Sequence, residues 1–328
     1  MRLSIVNHKL DQKILSLPIY NLNGTMYMNK GMKLNSTILD RIRALGINMV
    51  YIEDGDDKVA LQETLDYNTK TSALRMLKQE FESIIKTKRV NEEVFNNVLN
   101  MIIENMDLSE NAFSYNNIAK TDNITELVLH SINVTVFALA IGAESNYNDT
   151  QLSNLGMGAL LHDIGKLVTD IPGEHPAAGY KIARENRGLS PLSTISILQH
   201  HEQIDGKGYP GRISGEKLHE FTKIISVSNS YAADLSSDNQ MLPNAVLEKI
   251  VAGSSTKFDL DIIKRFTNAI YCYPNGLTVK LNTGETGTVI KQNKGFPSRP
   301  FVQVKKSGGV KDVDLMEELT VFIEKVEI

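Results

Sequence analysis

The stretch ITELVLHSINVTVFALAIGAE at residues 124–144 places apolar side chains three and four residues apart over its whole length. This spacing is the period of an α-helix with a buried face. The segments LKQEFESIIKTK at 77–88 and NEEVFNNVLNMIIENM at 91–106 repeat the pattern. We therefore predict a helical region over residues 58–270, which makes the protein mainly α.

Residues 1–57 combine short strand-like segments with one helical pattern at 35–45. The strand-like segments are 17–20, 25–28 and 48–52. We predict a small α+β unit here, which ends in an acidic exit loop at 53–57.

From residue 271 onward, short segments such as LTVKL at 277–281 and FVQVKK at 301–306 are separated by glycine- and proline-containing turns. Strands at such intervals are typical of a small β-barrel or meander. We therefore expect residues 271–328 to form a small β-barrel-like unit. The predicted fold is an all-helical domain flanked by the α+β unit and this β unit.

The composition of the 328 residues, 41% hydrophobic and 23% charged, predicts a globular protein of two or three units. A net charge of -4 lacks the basic excess that a surface for DNA or RNA needs. Asn133 and Thr135 interrupt the apolar run 132–143, so we predict no membrane span, and residues 1–20 do not have the pattern of a signal peptide. The single cysteine, Cys272, permits no intrachain disulfide and favours a cytoplasmic location.

The histidines are concentrated in the helical region, since five of the seven lie between residues 130 and 201. His162 and Asp163 are adjacent after an apolar run, where an imidazole and a carboxylate can face one cation. Glu126 and His130 lie four residues apart, so one helix face carries both. Taken alone, that pair fits a surface hydrogen bond, and a lone histidine is more often a core residue than a ligand. The clustering favours a metal site instead.

His200 and His201 precede a turn, DGKGYPG at 205–211. Adjacent residues on a helix point about 100° apart, so the pair can serve two metal ions rather than chelate one. Mixed imidazole and carboxylate donors suit iron, manganese, zinc or nickel. The glycines of the turn permit close backbone approach, and Asp205 can orient a histidine. Taken alone, the turn also fits an ordinary glycine and proline loop.

Three motifs in this order resemble one family. HSINV at 130–134, HDIGK at 162–166 and HHEQIDGKGYPG at 200–211 are similar to the HD-GYP family, a subgroup of the HD metal-dependent phosphohydrolases, over about residues 115–270. HD alone is a weak signal, whereas the combination is highly specific. The resemblance implies an all-α domain with two, in some members three, divalent metal ions, which hydrolyses cyclic di-GMP to pGpG and GMP. We expect iron or manganese as the cofactor.

The resemblance also assigns roles to single residues. Lys166 resembles the lysine that contacts the scissile phosphate or the attacking water, and Asp163 is the second expected catalytic residue. The ions lower the pKa of a bridging water, and the resulting hydroxide attacks the phosphodiester. The expected metal ligands are Glu126, which matches the additional carboxylate of three-metal members, His130, His162, Asp163, His175, His200, His201 and Asn229. The loop of the GYP motif, which shapes the site and in the family contacts diguanylate cyclase domains, is matched by Asp205, Gly206, Gly208, Tyr209 and Pro210.

Several positions depart from the family pattern. A metal-binding aspartate of the family falls on Asn229 and a second aspartate on Ala232. Asparagine can donate a carbonyl oxygen, but it cannot bridge two cations as a carboxylate does. The family's substrate-binding arginine and final basic residue fall on Asp238 and Met241, which removes charge that would bind phosphate. The segment 167–174 is also shorter than in most members.

Two classes of function therefore remain open. The retained histidines, Lys166 and the GYP loop favour a metal-dependent phosphodiesterase acting on cyclic di-GMP or a related nucleotide. The departures favour a protein that binds metal, nucleotide or a partner without efficient turnover, and an altered phosphate pocket also allows another phosphoester substrate. We expect the N-terminal unit to be regulatory or to form the contact of a homodimer.

Overall fold

A computed structural model describes residues 1–21, 25–53, 63–114, 116–186, 188–237, 241–293, 295–306 and 309–327. Asp238, residues 22–24 and residues 54–57 of the predicted exit loop lie outside these ranges. Along the described residues the chain forms an α+β unit, a helical core and an antiparallel sheet, in that order. The prediction of a mainly α protein with a small α+β unit at its N-terminal side is confirmed.

The N-terminal unit consists of two small antiparallel strand pairs and one helix. Its elements are β1 (Arg2–Ile5), β2 (Ile19–Tyr20), β3 (Met26–Met28), α1 (Ser36–Ala44) and β4 (Met49–Ile52). Strand β1 pairs with β4, with Arg2 opposite Ile52, and β2 pairs with β3. Helix α1 begins where the side chain of Asn35 accepts a hydrogen bond from the Ile38 amide at 2.9 Å, and it buries Leu39 and Ile42.

The helical core surrounds one apolar helix. Its helices are α2 (Tyr67–Thr87), α3 (Glu92–Asn105), α4 (Asn123–Glu144), α5 (Asp149–Leu161), α6 (His175–Arg184), α7 (Pro191–Gln199), α8 (Glu220–Ser236), α9 (Pro243–Ala252) and α10 (Leu260–Ala269). Helix α4 packs against α2, α5, α8 and α10. A helix that is apolar on most of its circumference must be covered on all sides, which is why α4 lies at the centre.

Helix α4 is long and apolar enough to cross a membrane by length and composition alone. In this fold, however, 72% of its most apolar window is buried inside the protein. The polar residues that interrupt the apolar run also have partners there, since the Thr135 hydroxyl donates to the Ser131 carbonyl at 2.8 Å and Asn133 accepts from the Ser114 hydroxyl at 2.7 Å. The helix therefore acts as the core helix around which the site is built.

Helix α5 has a capped start and ends directly before two residues of the site. At its start, the side chain of Asn148 accepts from the Gln151 amide and the side chain of Gln151 accepts from the Asn148 amide, both at 3.0 Å. This reciprocal cap satisfies two amides that the helix leaves unpaired. The helix ends at Leu161, immediately before His162 and Asp163. The histidine and the aspartate therefore lie at the C-terminal end of a helix whose start is capped.

The prediction of a small C-terminal β unit is confirmed, and it is an open antiparallel meander rather than a closed barrel. Its strands are β5 (Thr278–Leu281), β6 (Thr286–Lys291), β7 (Phe301–Lys306), β8 (Gly309–Asp314) and β9 (Ile323–Val326), in the order β8-β7-β6-β5-β9. Strand β9 returns to pair with β5 rather than with β8, so among the described residues the two outer strands do not close the sheet. Lys311 and Asp312 on β8 are exposed, which suits an open edge.

The two flanking units share a hydrophobic core. Leu3 and Tyr51 of the N-terminal unit lie in one buried cluster with Leu277 and Val279 of the sheet. The Leu3 amide donates to the Gly276 carbonyl at 2.9 Å, and the Tyr51 hydroxyl donates to the Asn275 carbonyl at 2.9 Å. Gly276 has φ of +88°, and a Cβ there would lie 2.9 Å from the Tyr51 ring, so the junction requires glycine. The units that were predicted as separate flanks thus pack together.

Candidate metal centre

The predicted histidines come from different helix ends and meet beside Asp163. His130 lies within α4, His175 is the first residue of α6, and His200 and His201 follow the last turn of α7. His162 and Asp163 connect α5 to a short 3-10 helix, Ile164–Leu167, which carries Lys166. Apart from His130, these residues lie at or next to helix ends, so the packing of the helices determines the arrangement of the ligand atoms.

Asp163 lies between two groups of imidazoles, and its side chain is fully buried. Its Oδ2 is 3.3 Å from Nε2 of His162 and 3.6 Å from Nε2 of His130. Its Oδ1 is 3.2 Å from Nε2 of His175 and 3.6 Å from Nε2 of His200. The two groups whose ligand atoms lie together are Asp163 with His175, His200 and His201, and Asp163 with His130 and His162. We call them the first and the second half-site.

Backbone carbonyls set the orientation of two imidazoles. Nδ1 of His162 donates to the Ala159 carbonyl at 2.7 Å, and Nδ1 of His200 donates to the Ile197 carbonyl at 2.8 Å. A carbonyl can only accept, so in both rings the proton of the neutral form lies on Nδ1. The lone pair of Nε2 therefore points toward Asp163, which is the arrangement that metal-binding histidines use.

The polar atoms at the centre lack partners that would satisfy them without a cation. Nε2 of His175 lies 3.3 Å from Nε2 of His200 and 3.1 Å from Nε2 of His201. Among the described residues, Nε2 of His162 and Oδ1 of Asp163 are buried without an aligned hydrogen bond. Converging acceptors in a buried place are costly unless a cation neutralises them. The donor set of imidazole nitrogens and one carboxylate thus fits divalent metal ions.

The protonation states suit the same use. Burial lowers the pKa of His130 to about 3, of His200 to about 4 and of His201 to about 2. Burial alone would raise the pKa of Asp163, but the surrounding histidines, His162 foremost, hold it well below its ordinary value. At neutral pH His130, His200 and His201 are therefore neutral and the Asp163 carboxylate is ionised, which are the forms that bind cations.

Asn229 adjoins the second half-site and is the position there that departs from the family pattern. It is buried on α8, and its Oδ1 accepts a hydrogen bond from Nε2 of His130 at 2.9 Å. In this arrangement the ring proton of His130 lies on Nε2, the atom that would bind a metal. Asp234, five residues further along α8, pairs with Lys249 at 2.7 Å. The carboxylate missing at position 229 is therefore not replaced by Asp234.

Glu126 lies apart from both half-sites. Its carboxylate accepts a hydrogen bond from Nζ of Lys120 at 3.0 Å, and its side chain is 58% exposed. It lines the same cavity as His130, which is one helical turn away. The assignment of Glu126 as a ligand of a third ion stays a prediction.

The GYP loop is held against the metal centre by a residue that the sequence did not single out. Glu202 is buried, and its carboxylate accepts hydrogen bonds from the amides of Gly211 at 2.5 Å and Ile213 at 3.0 Å. Its position directly after two histidines, in an otherwise exposed turn, is the signal that could have pointed to it. Glu202 thus anchors the far end of the loop beside His201.

Tyr209 gives the loop a second contact with the centre, because its ring stacks on His201 with centroids 4.6 Å apart. Gly208 permits the close approach, since a Cβ there would lie 2.4 Å from the Gln203 amide nitrogen. Asp205 accepts from the Lys207 amide at 3.0 Å and pairs with the Lys207 ammonium at 3.1 Å. Its carboxylate therefore stabilises the turn itself. Gly206 and Pro210 complete the loop, with φ of +74° at Gly206 and a cis bond before Pro210.

A cavity of about 860 Å³ opens beside the two half-sites. It lies within the range of small-molecule sites. His130, His201 and Asn229 line one part of it. The lysines that line it are Lys120, Lys166, Lys249 and Lys257. The wall of the cavity therefore contains candidate metal ligands and lysine ammonium groups, which suits an anionic ligand.

Comparison with known proteins identifies two domains. The HD domain family matches residues 127–234, which contain both half-sites. A family described as the KOW domain associated with HD domain matches residues 278–327, which form the C-terminal sheet.

Curated proteins are similar to part of this chain. The cyclic di-GMP phosphodiesterase PdeB of Borreliella burgdorferi is 27% identical over 205 residues, which are 56% of this chain and 54% of the relative. A cyclic di-GMP phosphodiesterase of Pseudomonas aeruginosa is 28% identical over 195 residues, 54% of this chain and 47% of the relative. The chain thus spans about half the length of these curated relatives. A solved HDGYP protein from Bdellovibrio bacteriovorus covers 80% of this chain and 97% of its own, at 16% identity and a TM-score of 0.46.

The residues matched by the HD domain family include all of those whose ligand atoms lie around Asp163. The chain is an HD-domain protein related to the HD-GYP cyclic di-GMP phosphodiesterases, with a C-terminal KOW domain of the kind associated with HD domains.

Proposed function

We propose that this protein is a metal-dependent phosphodiesterase that hydrolyses cyclic di-GMP to pGpG and GMP. The observation that carries the proposal is the position of Asp163, whose two carboxylate oxygens face different imidazoles, His162 and His130 on one side and His175 and His200 on the other. A carboxylate shared by two ligand sets is what a site for two neighbouring ions requires.

The residues divide the work of such a site. The first half-site and the second half-site would each hold a divalent ion, iron or manganese, and the bound ions supply a nucleophile from water at neutral pH and neutralise phosphate charge. Lys166 lies with Nζ 2.6 Å from Oδ2 of Asp163, and its side chain is 45% exposed to the cavity side. Its ammonium is placed to bind a phosphate oxygen that approaches Asp163. Tyr209 keeps His201 oriented by stacking.

The choice of substrate rests on the cavity and on the relatives. A cavity of about 860 Å³ with lysines in its wall suits a dianionic cyclic dinucleotide. The relatives from Borreliella burgdorferi and Pseudomonas aeruginosa carry the name cyclic di-GMP phosphodiesterase. Cyclic di-GMP is therefore the substrate we propose for this chain.

One observation favours a second candidate, a protein that binds metal or nucleotide without efficient turnover. The neutral Asn229 adjoins the second half-site, and its amide oxygen accepts a hydrogen bond from Nε2 of His130 at 2.9 Å. A site with one fewer negative charge binds a second ion less tightly. Slow turnover, or action on another phosphoester, would follow from a poorly filled second half-site.

Elemental analysis of anaerobically purified protein, followed by cyclic di-GMP turnover on the same sample, tests the proposal. We expect two ions per chain and the formation of pGpG or GMP. Two ions without turnover, with Asn229→Asp equally inactive, would contradict the phosphodiesterase proposal and favour the binding protein. Turnover restored by Asn229→Asp alone would show that the fold is competent and that the amide limits it.

We also propose a cytoplasmic location, from the single buried Cys272, and contact of the GYP loop with a diguanylate cyclase domain. The loop presents apolar surface for a partner, since Tyr209 is 37% exposed. A homodimer through the N-terminal unit stays a prediction. Size-exclusion chromatography with light scattering, with and without a cyclase domain, measures both associations.

A further inference from the structure

A dianionic substrate needs more positive charge than Lys166 alone supplies, and two of the other lysines in the cavity wall are already neutralised. Lys120 pairs with Glu126 at 3.0 Å, and Lys249 pairs with Asp234 at 2.7 Å. Met241, at a position where the family has a basic residue, is partly buried against the hydrophobic core. The phosphate-binding charge of this cavity must therefore come from elsewhere.

Lys257 differs from the other lysines of the cavity. Its Nζ donates to the Ser230 hydroxyl at 3.1 Å and lies 4.9 Å from the centre of the Phe258 ring. Asp234 acts on this ammonium only at longer range, and its carboxylate is paired with Lys249 at 2.7 Å, so among the described residues Lys257 itself forms no ion pair. Ser230 directly follows Asn229 on α8, and both residues line the cavity. An ammonium with neutral partners therefore lies beside the second half-site.

The backbone holds Lys257 in place. The turn from Gly253 to Phe258 is closed by the Lys257 amide, which donates to the Gly253 carbonyl at 2.9 Å. The Lys257 carbonyl accepts from the Ile204 amide at 3.3 Å, and the Thr256 carbonyl accepts from the Asp205 amide at 2.9 Å. The turn is thus bonded to the segment that follows His201. The position of Lys257 and the position of the GYP loop are set together.

We propose that Lys257 is a substrate-binding residue, whose ammonium binds an oxygen of the phosphate that is not being hydrolysed. This inference rests on the proposed function and names the residue that replaces the missing basic groups at positions 238 and 241. A cyclic dinucleotide carries two phosphates, and the half-sites with Lys166 bind one of them. The second phosphate needs a cation that is free to leave its neutral partners, and Lys257 is that cation.

The test is isothermal titration of cyclic di-GMP into protein kept in EDTA, where turnover does not occur. We expect Lys257→Gln to weaken binding roughly 10- to 100-fold, as expected for the loss of a charge-assisted hydrogen bond. Lys257→Arg, which keeps the charge, should recover most of the loss. Lys181→Gln is the matched control, because Lys181 is an exposed lysine on α6 outside the cavity wall. It should bind as the unchanged protein does.

Steady-state kinetics on manganese-loaded protein separates binding from chemistry. Lys257→Gln should raise KM with little change in kcat, and its binding should depend less on salt concentration than that of the unchanged protein. Equal affinity of Lys257→Gln and unchanged protein for cyclic di-GMP would overturn the role of Lys257 and leave the proposed function intact. Failure of the unchanged, manganese-loaded protein to bind or hydrolyse cyclic di-GMP would overturn the proposed substrate and this inference with it.

Discussion

The two half-sites share Asp163 but differ in what else they contain. In the first half-site, Nε2 of His175 lies 3.3 Å from Nε2 of His200 and 3.1 Å from Nε2 of His201. In the second, His130 is hydrogen-bonded to the neutral amide of Asn229. The nitrogen atoms of the first half-site therefore need a cation between them, while Nε2 of His130 in the second half-site already has a hydrogen-bond partner. From this difference we expect the first half-site to bind a divalent ion more tightly than the second.

The largest effect should come from Asp163, because both half-sites depend on it. Asp163→Asn keeps the shape of the side chain but removes the negative charge that both ions would share. We expect the metal content to fall to less than one ion per chain and turnover to fall at least roughly 100-fold. Elemental analysis and circular dichroism of the same sample measure metal and fold. Two ions per chain in a folded Asp163→Asn protein would break the assignment of a shared ligand.

The next effect should separate the half-sites. In a manganese titration we expect two binding steps for the unchanged protein. His200→Ala should weaken the tighter step roughly 10- to 100-fold, because it removes a ligand from the first half-site. His130→Ala should weaken only the looser step. If the two variants weakened the same step equally, the half-sites would not be distinct.

A smaller effect should make the half-sites more alike. Asn229→Asp restores a charged oxygen beside His130, and we expect the looser manganese step to tighten roughly 10-fold. Asn133→Asp is the control, since Asn133 lines the same cavity and gains the same charge without contacting His130. Equal tightening by both substitutions would mean that general charge in the cavity, rather than a ligand at position 229, sets the affinity.

The smallest effect concerns the start of α4, the helix that carries His130. Burial alone would raise the pKa of Asp122. Hydrogen bonds from Lys78 and Thr125, together with the charge of Lys78, outweigh it and lower the pKa to about 2. The ionised form therefore stabilises the fold above the ordinary pKa, and this contribution is lost as pH falls from about 4 to about 2. The side chain is 43% exposed, so we expect Asp122→Asn to lower the free energy of unfolding at pH 7 by no more than about 1 kcal/mol.

Urea denaturation at several pH values measures this difference. The stabilities of the unchanged protein and Asp122→Asn should converge near pH 2. In Asp122→Asn the affinity of the looser manganese step should change less than it does in His130→Ala, because α4 remains packed against α2, α5, α8 and α10. A difference in stability that stayed constant down to pH 2 would contradict the ionic origin of the effect.

The sequence predicted the helical core and the cluster of histidines because both leave local signals. Apolar spacing marks a helix such as α4, and the motifs around His162 and His200 are contiguous. The division into two half-sites left no such signal, because it depends on which oxygen of Asp163 each imidazole faces. The role of Glu202 was also missed, since its partners Gly211 and Ile213 are backbone amides whose position follows from the turn.

The C-terminal unit shows the limit of reading strands alone. Short strands and turns predicted a small barrel or meander without deciding between them, because closure depends on which strand the last segment joins, and β9 pairs with β5. Similarly, nothing in the residues 1–57 indicated that Tyr51 would pack with the sheet. Both features are set by pairing between distant segments, which composition and periodicity do not report.

The shared core of the flanking units has a consequence for how the chain folds as it is made. The hydrogen bond from Tyr51 to Asn275 joins residues 224 positions apart, so the N-terminal unit emerges from the ribosome long before its partner strands exist. Until then Leu3 and Tyr51 have no sheet to cover them. Closing so long a loop costs entropy that only the finished core repays. Formation of this core is therefore a late step, and until strands β5 to β9 are synthesised the apolar side chains of the N-terminal unit stay exposed to aggregation.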